Sequence, residues 1–199
     1  MSTILQGSDK VLIFLAGIFG LRRSYKRLVN TFENLGKNAK MEQSLFDVHE
    51  ELENRHWWFV ARRQIIRNIL VNLLGDNDQH LIVDVGCGTG GTVDFLSKDF
   101  RTVGVDNSKI AIDKATCLYP TQTYMCADAG RVLGDQKQNI SAILLMDVLE
   151  HIENDKAFLM GLLENLPVGV KILITVPARN VLWSRHDVLA HHFRRYESE

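Results

Sequence analysis

At 199 residues the chain is long enough to bury one substantial core, and a composition of 46% hydrophobic and 24% charged residues is that of an ordinary globular domain. A net charge of −1 excludes the strongly basic field with which proteins hold nucleic acid or other acidic polymers. The three cysteines, Cys87, Cys117 and Cys126, show no C-x-x-C spacing, which points to free thiols, a reducing cytoplasmic compartment and no metal site built on them.

The charge is unevenly spread. Residues 1–40 carry seven Lys/Arg against Asp9 and Glu33, a surplus of +5, and read as an amino-terminal extension ahead of a domain over 41–199. Inside the extension, residues 11–21 form an apolar run followed by Arg22, Arg23, Lys26 and Arg27. The run is too short to span a bilayer. It reads as a helix packed on the domain; the competing reading is a basic amphipathic helix over 11–27 that touches a membrane surface and makes the protein membrane-peripheral.

Residues 42–54 are polar and acidic. Over 62–74, Ile65, Ile66, Ile69, Leu70 and Leu73 recur at helical spacing, and Gly75 marks the stop. Strand-like and helix-like segments then alternate. Strands are expected at 81–85, 101–105, 121–125, 141–146 and 170–176. Helices are expected at 89–98, 108–118 (with Ser108 as N-cap) and 155–166. Continuous apolar runs such as 81–85 fit strands buried on both faces. The alternation predicts an α/β fold, a Rossmann-like doubly wound and mostly parallel sheet.

The stretch VDVGCGTGG at 83–91 satisfies two patterns at once. Gly86, Gly88 and Gly91 fit the dinucleotide fingerprint G-x-G-x-x-G; Gly86, Gly88 and Gly90, with Asp84 ahead of them, fit D-x-G-x-G-x-G. Glycine spacing alone does not separate the two. Three acids do: Asp84 at the end of the first domain strand, Asp106 at the end of the second and Asp128 after the third. A carboxylate inside the first strand end repels a pyrophosphate and attracts a ligand carrying an ammonium and a sulfonium. Asp106 is placed to accept from both hydroxyls of a ribose, and Asp128 to meet an adenine amino group. With no basic residue nearby to hold a phosphate, the loop reads as a site for a cationic nucleoside.

These segments resemble the class I S-adenosylmethionine-dependent methyltransferases. VDVGCGTGG is similar to their first motif, VGVDNSKIAIDKA to the second-strand motif, YMCADA to the adenine-side motif and AILLMDVLEHIEN to the fourth-strand motif beside the methyl group. The segments around Glu53-Asn-Arg-His56-Trp57-Trp58-Phe59, Ala61-Arg62-Arg63 and 182–196 resemble a bacterial subgroup related to the ubiquinone-biosynthesis type. The resemblance implies S-adenosylmethionine as cofactor, with contacts from Asp84, Gly86, Cys87, Gly88, Gly90, Asp106, Asn107, Asp128, Ala129 and Asp147. It implies a small-molecule acceptor, free or lipid- or sugar-linked.

Methyl transfer demands alignment of acceptor and S–CH₃ bond above all, and a hydroxyl acceptor also needs a base. His151, in Asp147-Val-Leu-Glu-His151, is the candidate catalytic base, with helix capping as the alternative role for Glu150 or His151. Trp57, Trp58 and Trp183 are candidate acceptor-pocket residues. His192 and Asp187 are the alternatives to His151 and, with Arg194, Arg195 and Tyr196, which suit a phosphate or carboxylate, are candidates for polar acceptor recognition.

The family pattern continues past Tyr196 with a helix and two further strands, so the sheet is expected to lack its last two strands. Its fifth strand then needs a cover, supplied by the 11–21 run or by a second subunit in a homodimer. Two further readings stay open at this point: a non-catalytic S-adenosylmethionine-binding remnant or partner subunit, and a nicotinamide-dependent oxidoreductase. Against the latter stand Asp84 and the lack of a Tyr-x-x-x-Lys constellation.

Overall fold

A computed structural model of the chain describes the backbone of residues 2–7 and 10–17, residue 53, and residues 56–130 and 140–197. Two amino-terminal strands, β1 (Ser2–Gly7) and β2 (Lys10–Gly17), precede helix α1 (Trp57–Leu74). The alternating part follows as β3 (Leu81–Val85), α2 (Gly91–Leu96), β4 (Arg101–Asp106), α3 (Lys109–Leu118) and β5 (Thr123–Cys126). It continues with β6 (Ile140–Met146), α4 (Asp155–Glu164), β7 (Lys171–Pro177) and α5 (Arg185–Leu189). Seven strands form one sheet in the order β1-β2-β7-β6-β3-β4-β5. All neighbours are parallel except the β1–β2 hairpin.

The apolar runs are continuous because both faces of the sheet are covered. Leu81, Val83 and Val85 of β3, Ile143 and Leu145 of β6, and Ile172 and Ile174 of β7 pack on one face with Leu162 of α4. The alternate residues Ile82, Leu144 and Leu173 pack on the other, against Ile66 and Leu70 of α1 and Leu96 of α2. Ser108 caps α3 as expected, accepting from the Ala111 N–H. Helix α1 begins at Trp57, five residues before the expected start, because His56 accepts the Trp58 N–H and caps it. The tryptophan pair therefore lies on the first turn of a helix.

The amino terminus departs from the expected helix. Residues 10–17 form a strand. β2 runs parallel to β7 in a register that sets Val11 beside Lys171 and Gly17 beside Pro177. Its run of Val, Leu, Ile and Phe has the β-branched and aromatic content of a strand, and β7 offers an open ladder to extend. The fifth domain strand is thus covered by the amino-terminal run. β1 pairs with β2 on its far side and forms the edge of the sheet. Arg22, Arg23, Lys26 and Arg27, and with them the membrane-surface reading, lie outside the described residues. Among the described residues no helix is long and apolar enough to cross a membrane.

From β3 the chain moves outward one way to β4 and β5, and from β6 the other way to β7. The strand order reverses between β3 and β6, which places the ligand crevice of such a sheet beyond their carboxyl ends.

Candidate cofactor and acceptor site

The glycine loop occupies that crevice. Gly86, Gly88 and Gly90 adopt φ of 74°, 53° and 84°, left-handed values that side chains disfavour. At Gly90 there is no room either: a Cβ would lie 2.5 Å from the Tyr124 hydroxyl oxygen. Above Gly88 a Cβ would meet nothing within 4 Å, so the loop turns an open backbone surface toward the crevice. Asp106 anchors it, with Oδ2 accepting the Gly88 N–H at 3.0 Å and Oδ1 the Ser108 N–H at 2.8 Å. Each oxygen keeps a lone pair for a further donor. Asn107 beside it is exposed. Cys87 is buried under the loop, and burial together with Asp84 pushes its thiol well above the ordinary range.

Asp84 is 4% exposed, and its Oδ1 is buried with no hydrogen-bond partner. Burial raises its carboxyl to about 7, against the pull of Arg62 and with the help of Glu53 and Asp106. Its neutral form is therefore far more favoured than in an exposed carboxyl. The expectation that no basic residue stands near the loop is therefore corrected. Arg62 of α1 is buried beside Asp84 and pairs with Asp147 across 85 residues of sequence. Only the packing of α1 on the face carrying Asp84 creates that neighbour. The guanidinium Nε of Arg62 is likewise buried with no partner.

Asp147 holds a left-handed φ of 57° just after β6, a conformation aspartate tolerates better than most residues. Its N–H donates to the Thr175 carbonyl at 3.0 Å, and its Oδ1 accepts from Thr175 Oγ1 at 2.9 Å. The carboxylate is thus turned onto Arg62 and Thr175. Asp128 is exposed and accepts the Gly130 N–H at 2.9 Å, the ordinary turn contact of an aspartate, while Ala129 is buried in the core.

The acceptor-side candidates separate into three places. Trp57 and Trp58 lie with ring centroids 6.0 Å apart, Trp57 being 64% exposed. Trp183, exposed, follows a short turn after β7. Asp187 is fully buried. Burial alone would raise its carboxyl, but the two-pronged Arg195 pair at 2.8 Å, the Ser184 N–H and His192 hold it well below the usual range. Arg194 and Tyr196 both engage Asp155, the tyrosine hydroxyl at 2.7 Å, and Arg194 also donates to the Glu153 carbonyl. The charges of Asp187, Arg194 and Arg195 thus fix the segment after α5 against β7 and α4.

His151 is exposed at the crevice edge, its ring 4.7 Å from that of His192 in a T-shaped contact. Partial burial and repulsion from His192 lower it to about 4, so its ring nitrogens are unprotonated at neutral pH apart from the one tautomeric hydrogen. His192 Nδ1 stands 3.0 Å from Asp187 Oδ1, which orients that ring. Neither Glu150 nor His151 caps the next helix; Asn154 does, accepting the Ala157 N–H at 3.1 Å. Glu150 is instead 1% exposed, with Oε2 unpartnered, and burial followed by the Asp147 charge raises it far above an ordinary carboxyl.

Glu150, His151 and His192 offer one ligand atom each, all within 4.8 Å of one another, a partial shell that could hold a divalent cation. The cysteines take no part in it, so their spacing had no bearing on it. Glu53, Arg62 and Tyr124 also belong to the site, though the sequence assigned them no role. For Arg62 and Arg63 a signal existed: they share the buried stripe of α1 with Phe59, Ile66 and Leu70, and a charge on an apolar stripe needs a buried partner.

Comparison with known proteins accounts for this arrangement. Residues 55–199 match the family model described as a methyltransferase domain. The ubiquinone biosynthesis O-methyltransferase of Rickettsia typhi is 28% identical over 157 residues, covering 76% of this chain and 61% of that protein. The mitochondrial enzyme of the same description from Arabidopsis thaliana is 34% identical over 102 residues, 47% of this chain and 31% of its own length. The chain thus spans less than two thirds of these curated relatives. Among solved structures, the sugar N-methyltransferase KedS8 of Streptoalloteichus aligns with a TM-score of 0.53 at 18% identity, over 70% of this chain and 56% of that one, which is a likeness of fold. The cofactor of this family is S-adenosylmethionine. With the glycine loop, its strand-end acids and the family match in agreement, the chain belongs to the class I S-adenosylmethionine-dependent methyltransferases, among relatives of the ubiquinone-biosynthesis type.

Proposed function

We propose that this chain transfers a methyl group to a hydroxyl of a small-molecule acceptor, free or carried on a lipid or sugar, in the cytoplasm. One observation carries the reading of the cofactor side. The crevice holds two buried polar atoms without partners, the acidic Asp84 Oδ1 and the Arg62 Nε donor, beside a backbone loop with open space above Gly88. An amino-acid end with an ammonium and a carboxylate satisfies both. Asp106, already fixed by two N–H groups, has acceptor capacity left for vicinal hydroxyls of a ribose. S-adenosylmethionine supplies that zwitterion, that ribose and a sulfonium methyl group.

The O-methyltransferase relatives support a hydroxyl as acceptor. His151, unprotonated and exposed at the crevice, is the base we assign to take the hydroxyl proton as the acceptor oxygen is methylated. The Asp187 contact to His192 Nδ1 favours His192 as the second candidate, since a carboxylate on one nitrogen directs the other outward as an acceptor.

Calorimetric titration with S-adenosylhomocysteine and with NADH tests the cofactor side. Wild type is expected to bind the nucleoside, with D106A weaker by about 10–100-fold, the loss of charge-assisted hydrogen bonds. Unchanged affinity in D106A, or tighter binding of NADH, overturns the reading. On the acceptor side, a screen of phenolic, sugar and lipid-linked hydroxyls with labelled S-adenosylmethionine identifies a substrate. His151→Ala then lowers kcat by about 100-fold or more with cofactor affinity unchanged. A slow His192→Ala enzyme beside a normal His151→Ala enzyme reverses the assignment.

A further inference from the structure

Glu53 is 5% exposed, and its carboxylate is directed at the glycine loop. Thr89 Oγ1, in a residue only 1% exposed, donates to Glu53 Oε2 at 2.5 Å across 36 residues of sequence. Arg63 Nη2 donates to the Glu53 carbonyl at 2.7 Å, so α1 holds the backbone at this point. Gly91 leaves the space: a Cβ there would lie 2.6 Å from Glu53 Cδ and 2.7 Å from its Oε1. Gly91 is not among the glycines with positive φ, so its need for glycine is one of room rather than backbone conformation.

A buried carboxylate is costly unless it is well bonded, and an apolar residue would pack beside α1 at less cost. What the carboxylate adds is a grip on the loop. The glycines at 86, 88, 90 and 91 leave that loop with large conformational freedom when nothing restrains it. Thr89 sits between Gly88 and Gly90, so fixing its side chain orients the peptide planes on both sides. Asp106 fixes the loop from the β4 side through the Gly88 N–H, and Glu53 fixes it from the α1 side.

We propose that Glu53 is a positioning residue that pre-orders the glycine loop for its cofactor, acting through Thr89 and the space left at Gly91. This rests on the reading of the loop as the S-adenosylmethionine site. Pre-ordering lowers the conformational cost met on binding, so its loss appears in ligand affinity and not in the resting fold.

The test is calorimetry with S-adenosylhomocysteine on wild type, E53A, E53Q, T89V, G91A and the E53A/G91A double variant, with ligand-free melting recorded beside it. E53A, T89V and G91A are expected to weaken binding about tenfold each with melting nearly unchanged. E53Q keeps an oxygen acceptor for Thr89 without the charge, and stays within about threefold of wild type. Adding G91A to E53A costs less than G91A does in wild type, because the new methyl no longer meets the carboxylate and only Arg63 Nη1, 2.9 Å away, must still give. A wild type that binds while E53A and T89V bind equally well overturns the positioning role alone. A wild type that does not bind overturns the cofactor site and the role together. Should E53A fail to fold, the near-isosteric T89V decides the same question.

Discussion

Replacing Asp84 with asparagine is expected to make the ligand-free protein more stable and the cofactor site worse. The carboxyl titrates near 7 in the fold against 3.8 as a free side chain, because burial disfavours its charged form. A group raised in this way is no burden below the free value. Its stability penalty grows as pH climbs from about 4 to 7 and is constant above. The rise from 3.8 to about 7 corresponds to roughly 4 kcal/mol at the plateau. Asparagine removes the charge but keeps a buried amide, so we expect a gain of about 2 kcal/mol above pH 7, or roughly 4–8 °C in Tm for a domain of this size. Below about pH 4, where the Asp84 penalty has vanished and only the cost of the buried amide is left, the order should invert and D84N should melt roughly 4–8 °C below wild type.

On the proposed reading the same substitution removes the anion assigned to the ligand ammonium, and S-adenosylhomocysteine should bind about 10–100-fold more weakly. In wild type, affinity should rise with pH up to about 7 as Asp84 ionises, then level off, and D84N should lose that dependence. Equal affinity across the pair at about pH 8 removes Asp84 from the site. Such an exchange of stability for binding is what a strained functional group produces.

Arg62→Met is expected to act in the opposite direction. It deletes the buried cation that pairs with Asp147 and lowers Asp84, and leaves both carboxylates without it. Breaking a buried pair from one side costs about 3–5 kcal/mol, here a fall of roughly 6–20 °C in Tm at about pH 8. The deficit should shrink as pH falls, because protonation removes the uncompensated charges. Asp84 should titrate higher than in wild type, since Arg62 is what holds it down. Adding D147N to R62M should restore part of the loss. A pH-independent deficit, or no recovery in the double variant, shows that Arg62 acts through packing on Phe59 and not as a counter-ion.

The two variants probe the part of the site that was hardest to read. Asp84 and Asp106 were legible because each closes an apolar strand, one of them two residues ahead of a glycine pattern. Arg62 was not, since its partner lies 85 residues away and only the docking of α1 brings the two together. Glu53 stood in a recognisable motif without a role for the same reason: its partner is Thr89. The segment after α5 shows the reverse case. Asp187, Arg194 and Arg195 looked like recognition groups, and the fold gives each an internal ion pair.

The alternation of strand and helix, the caps at Ser108 and Gly75, and the glycine loop after the first domain strand were all legible in the sequence. These depend on periodicity and short-range bonding, which neighbouring residues dictate. The tertiary structure alone decided that residues 10–17 pair with β7 as a strand. It also decided that Asp84 is buried deeply enough to titrate near neutrality and that Arg62 stands beside it. Open sheet edges, burial and charge pairing are properties of elements brought together from distant parts of the chain, and no window of local sequence contains them.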